Sequence, residues 1–80
     1  MYAIDVLKEA AKMAGVPTTH IGKELGSDSA YVAKIANRGS VPRCDTMARM
    51  LDVCGYSLCA IPTDKIPNDA IVIDGDANAD

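Results

Sequence analysis

The side chains best equipped to grip a partner gather between Val16 and Arg43. Lys23, Lys34, Arg38 and Arg43 stand there against Glu24 and Asp28, a balance of +2. Ammonium and guanidinium groups donate hydrogen bonds and accept none, so phosphate oxygens and acceptor-rich base edges are their natural counterparts. The hydroxyls of Thr18, Thr19, Ser29 and Tyr31 and the amide of Asn37 add neutral donors to the same stretch. Other chemistry is poorly supplied. His20 is the only histidine, and Cys44, Cys54 and Cys59 are odd in number and lack zinc-ligand spacing. No nucleophile is paired with a base, and no glycine-rich loop is spaced to cradle a phosphate. An enzyme, a metal site and a cofactor are therefore not expected. The cysteines read as reduced, packed thiols.

These side chains need elements to carry them, and the sequence around them predicts two short helices. The first spans Thr18 to Leu25 and the second Ser29 to Asn37, with Gly26, Ser27 and Asp28 between. Gly26 sits where a helix stops in a left-handed conformation. Asp28 is placed to cap the next helix, its carboxylate accepting from free N–H groups of the first turn. Ile21, Leu25, Val32 and Ile35 supply an apolar face, and Gly22 and Ala36 are small enough for a close crossing. This is a helix-turn-helix arrangement, whose second helix is offered to a major groove. On that helix Lys34 lies away from Val32 and Ile35. It is either a contact to guanine O6 and N7 or a solvated lysine. Ser29 is a groove contact or an ordinary first-turn residue. Ala30 and Ala33 are thymine-methyl contacts or good helix formers. Arg38 and Arg43 flank the following loop, within reach of phosphate or minor groove.

The rest of the chain reads as support. A helix from Tyr2 to Ala14 repeats Ile4, Leu7, Ala11 and Ala14, widened by Val6, Ala10 and Met13. Another helix runs from Cys44 to Cys54 with Met47, Met50, Leu51 and Cys54 on one face. From Tyr56 the period changes to two, predicting strands at Tyr56–Ile61 and Ala70–Asp74. The expected organisation is a helical bundle over 1–55, a β segment over 56–74 that can serve dimerisation, and a flexible acidic tail over 75–80. The fold class is mainly α, four to five helices with a short C-terminal strand pair. The net charge of −3 belongs to the tail, since residues 1–61 carry +1 and residues 62–80 carry −4. No apolar run is long enough to span a membrane and no secretory signal follows Met1, so a cytoplasmic protein is expected.

The run GVPTTHIGKELGSDSAYVAKIANRGSVPRCDTMARMLDVCGYSL resembles the lambda-repressor-like helix-turn-helix family, the Cro, phage-repressor or Xre type. The likeness covers roughly residues 2–58. It rests on Leu25-Gly26, the polar turn, Val32 with Ile35, Asn37, the loop with Pro42, then Asp45-Thr46-Met47 and Leu51. It implies a compact bundle of four or five helices, a homodimer and a palindromic operator. It places the base-reading slots on Ser29, Ala30, Ala33 and Lys34, where relatives often carry glutamine. Backbone contacts fall on Thr18, Thr19, Tyr31, Asn37, Arg38 and Arg43. A sequence-specific regulator of transcription on double-stranded DNA, of the phage or prophage repressor type, is the function implied. The competing expectation is an antitoxin-type interaction module that binds a toxin protein, motivated by the apolar Ala70–Ile73 segment and its acidic surroundings.

Overall fold

In the computed structural model, residues 1–73 are described. Among these residues four α-helices form: α1 over Ala3–Ala14, α2 over Thr18–Glu24, α3 over Tyr31–Arg38 and α4 over Cys44–Val53. One 3₁₀ turn follows at Thr63–Lys65. The protein is thus mainly α, and α2 packs on both α3 and α4 while α1 packs on α4.

The core closes with one fully buried side chain from each helix: Leu7, Ile21, Val32 and Met50. Ala3, Val6, Ala10, Ala11, Ile35, Met47, Leu51 and Cys54 complete it, and no polar or charged residue is buried among the described residues. On α1 the apolar face ends earlier than its sequence pattern suggests, because Ala14 is exposed and Met13 is 60% exposed. The reason is the chain reversal at Gly15. There the Val16 N–H bonds back to the Ala11 carbonyl at 2.9 Å, and Val16 takes the place on the core that the last turn would have filled. All four helices end on the same paired bonding pattern with a glycine just past the end.

The joint between α2 and α3 is closely packed. Gly22 is buried, and a methyl group in its place would overlap the backbone carbonyl oxygen of Asp28 and meet Tyr31 Cβ at 3.0 Å. The expectation of a small residue at the crossing holds here. Gly26 is special for a different reason: φ is +78°, with open space around it.

The expected C-terminal strand pair is not present among the described residues. Tyr56–Ile61 and Ala70–Ile73 carry no strand and share no backbone hydrogen bond; Asp74, the last residue of the second expected strand, lies outside the described residues. A two-stranded ribbon is marginal alone. The alternating side chains are used instead to cover the bundle, with Tyr56, Leu58, Ile71 and Ile73 packed on the core and Ile61 and Val72 turned outward. The cysteines also depart from expectation, since only Cys54 is buried while Cys44 and Cys59 are exposed. Burial pushes the Cys54 thiol above its ordinary pKa.

Replacing Gly22 by Ala is expected to cost about 3 kcal/mol or more, since backbone must move to admit the methyl. Replacing Gly26 by Ala costs about 1 kcal/mol, from left-handed strain alone. Urea melts followed by circular dichroism measure both, and equal losses would contradict the close crossing. In the native protein, iodoacetamide modifies Cys44 and Cys59 and leaves Cys54 until denaturant is added, as intact mass will show.

Candidate nucleic-acid interface

The surface offered by α3 is set by how its neighbours stop and start. At the end of α2 the Gly26 N–H donates to the Lys23 carbonyl at 3.0 Å and the Ser27 N–H to the Gly22 carbonyl at 2.9 Å. These two bonds satisfy carbonyls a helix terminus otherwise leaves open, and they turn the chain away from the α2 axis. The chain then makes one tight turn before α3, with the Tyr31 N–H donating to the Asp28 carbonyl at 3.2 Å. Ser29 and Ala30 belong to that turn, so the expected start of the second helix at Ser29 is corrected to Tyr31. The cause is local: Asp28 Oδ1 accepts the Ala30 N–H at 3.0 Å, a short-range bond that competes with helical geometry at these residues. Asp28 is therefore not the cap expected of it: Ala30 takes the cap position with no side-chain cap bond, and Asp28 holds the turn that precedes the helix.

Only Val32 and Ile35 of α3 are buried. Opposite them Ala30, Ala33, Lys34 and Asn37 are exposed, at i, i+3, i+4 and i+7, and so share one stripe. Ser29 is exposed beside the start of that stripe and Arg38 at its end. Tyr31 is half-buried and packs on the core, with its Cβ against Gly22. Thr19 is exposed. Thr18 is half-buried and forms no cap bond, because Pro17 occupies the cap position and Thr18 is already the first helical residue. Arg43 precedes α4 with its side chain 83% exposed. The structure thus brings Ser29, Ala30, Ala33, Lys34, Asn37 and Arg38 onto or beside one face. Thr18, Thr19 and Arg43 lie on neighbouring elements.

The electrostatics of this face differ from a simple list of cations. Lys34 Nζ lies 2.9 Å from Asp28 Oδ2, with both side chains 59% exposed. Arg43 is 3.3 Å from Asp45. His20 Nε2 faces Glu24 Oε1 at 3.6 Å, one helical turn on. Among the described residues Lys23 and Arg38 have no such partner. The hydrogen bond from Lys34 holds the Asp28 carboxyl below its ordinary pKa of 3.8, helped by the charge of Lys34 and the Ala30 N–H and opposed by partial desolvation. The Asp28–Lys34 pair has no signature in the sequence, because a separation of six residues is not a helical neighbour spacing. It forms only because Asp28 sits in the turn and not on the helix. Among the described residues no three His, Cys, Asp or Glu side chains gather to hold a metal ion, and no helix is long and apolar enough to cross a membrane.

No protein-family model, no curated protein and no solved structure matches this chain.

A folded-state pKa depressed below 3.8 means that Asp28 stabilises the fold above 3.8 and loses that contribution as pH falls through the lowered value. A carbon-detected NMR titration of the Asp28 carboxyl is expected to show a midpoint under 3.8 in the native protein. In Lys34→Gln the midpoint moves upward. An unmoved midpoint would mean the ion pair is not formed in solution.

Proposed function

We propose that this chain is a sequence-specific double-stranded DNA-binding protein of the lambda-repressor-like helix-turn-helix type, acting as a transcriptional regulator. The observation that supports it most is the two-faced character of α3. Val32 and Ile35 anchor one side, and Ala30, Ala33, Lys34 and Asn37 leave the other open along its whole length. Among the described residues the C-terminal segment does not cover that side, since its half-buried residues pack on the core and line a groove with Val6 and Ala10 of α1 and Leu51 of α4. A helix that is small and polar on its outer face fits the width of a major groove.

In this reading α3 enters the groove with Ser29, Ala30, Ala33 and Lys34 toward base edges. Asn37, Arg38, Arg43, Thr18, Thr19 and Tyr31 flank it toward phosphates. Two protomers place their α3 helices about 34 Å apart on a two-fold site. Phosphate contacts supply much of the affinity, and the small readout set makes DNA shape matter for selectivity.

A second reading is favoured by one feature. The groove of about 490 Å³ between the C-terminal segment, α1 and α4 is largely apolar, and Ile61 and Val72 at its edge are 40% and 50% exposed. An antitoxin-type module would seat a partner protein there while α3 holds the operator.

Fluorescence anisotropy on duplexes selected from a random pool tests the first reading. Phosphate contacts by Arg38 and Arg43 on each of two protomers give a slope of about −4 for log K against log salt. Affinity then falls on the order of a hundredfold between 50 and 200 mM salt. Arg38→Ala lowers the slope by about 1 for each protomer. A flat salt dependence, or no enrichment of any duplex, defeats the proposal.

A further inference from the structure

We infer that Asp28 and Lys34 act as one donor–acceptor unit that selects a G·C base pair over A·T, which makes Asp28 a specificity-determining residue in its own right. This inference rests on the DNA-binding reading above and deepens it.

The geometry of the pair carries it. In a G·C pair guanine O6 accepts a hydrogen bond from cytosine N4, so the two atoms lie one hydrogen-bond length apart, about 2.9 Å. Lys34 Nζ and Asp28 Oδ2 are 2.9 Å apart as well. Laid side by side, the two pairs are complementary. The ammonium has three N–H donors, of which Asp28 uses one, and the remaining two match guanine N7 and O6. The carboxylate oxygen has a further lone pair, which matches the second N4–H of cytosine. Across the major groove a G·C pair reads acceptor, acceptor, donor; the protein pair answers donor, donor, acceptor. An A·T pair reads acceptor, donor, acceptor, and would set adenine N6–H₂ against the ammonium and thymine O4 against the carboxylate.

The surroundings suit this role. Both side chains are more than half exposed, so their outward edges stay accessible while they hold each other. Asp28 Oδ1 is tied to the Ala30 N–H at 3.0 Å, which fixes the carboxylate to the backbone at one point, and the Asp28 main chain itself is seated over Gly22. Asp28 in turn fixes the end of Lys34, whose flexible stem would otherwise have to be ordered on binding. Asp28 is ionised at neutral pH, its carboxyl held below 3.8 by Lys34, and is therefore acceptor-only. A lone lysine at this place would favour phosphate as readily as guanine; the adjacent carboxylate repels phosphate and leaves the base edge as the better match.

The test uses the full chain and duplexes selected by it from a random pool. Each G·C pair of the selected half-site is changed to A·T in turn, and affinities are measured for the wild type, Asp28→Asn and Lys34→Gln. The amide oxygen of Asp28→Asn can still accept from Ala30, and a thermal melt checks that the variant is folded. One position is expected at which the wild type loses about fivefold or more on the change, while both variants lose that preference and keep the others. At that position 7-deazaguanine, which lacks the N7 acceptor, weakens the wild type without any protein variant. The inference is overturned if folded Asp28→Asn keeps every preference of the wild type. It is equally overturned if Asp28→Asn gains affinity uniformly for all duplexes with a steeper salt slope, for Asp28 then only repels phosphate. If the wild type enriches no duplex at all, the DNA-binding reading itself has failed, before any variant is made.

Discussion

The seating of α2 on α3 at Gly22 is the constraint on which the rest of this structure depends. Because Gly22 has no side chain, the Asp28 carbonyl can rest against its Cα, and the turn between the helices is held to α2 at that point. The Asp28 carboxylate, bonded to the Ala30 N–H, then sets the start of α3 at Tyr31, whose Cβ also lies against Gly22. Ile21, next to Gly22 and fully buried, then meets the core shared with Val32 of α3, Leu7 of α1 and Met50 of α4. With one large side chain from each helix at the centre, a shift of α3 would disturb the whole packing. A close-packed interior has no slack in which to absorb it.

Fixing α3 also fixes the electrostatics of its exposed side. Three cationic or titratable groups near this surface have carboxylate neighbours: Lys34 with Asp28, Arg43 with Asp45, and His20 with Glu24. Exposed pairs of this kind add little to stability. Their consequence lies in the field the face projects. It is patterned, with donors and acceptors at fixed places, and its long-range attraction for a polyanion is modest.

The C-terminal segment shows how one sequence pattern can satisfy two architectures. Alternating apolar residues from Tyr56 onward suit a strand, and they suit equally an extended strap that lays every other side chain on a helical core. The second outcome is the one adopted, by Tyr56 and Leu58 on one run and Ile71 and Ile73 on the other. Pro62 and Pro67 lie in the connection and lack N–H donors, and the connection contains its own 3₁₀ turn. Burying apolar surface on α1 and α4 requires no cross-strand register, whereas a lone ribbon would need one to be worth forming.

The helices were legible from the sequence because their signals are local. Apolar spacing marked the faces of α1, α3 and α4, glycines marked all four helix ends, and the need for a small residue at Gly22 could be read beside Ile21. Of the candidate face, Lys34 was legible for the same reason, as lying away from Val32 and Ile35, while Ala30, Ala33 and Asn37 were assigned through the family resemblance. What only the folded chain decided are matters of which distant or non-periodic groups meet. These include Val16 displacing the last turn of α1 from the core, the exposure of Cys44 and Cys59, and the strap in place of strands. The bond between Asp28 and Lys34 is the sharpest case. Periodicity says which way a residue points on its own helix, but a contact between a turn residue and a helix residue depends on the angle at which the turn delivers the chain, and that angle is set by packing against α2.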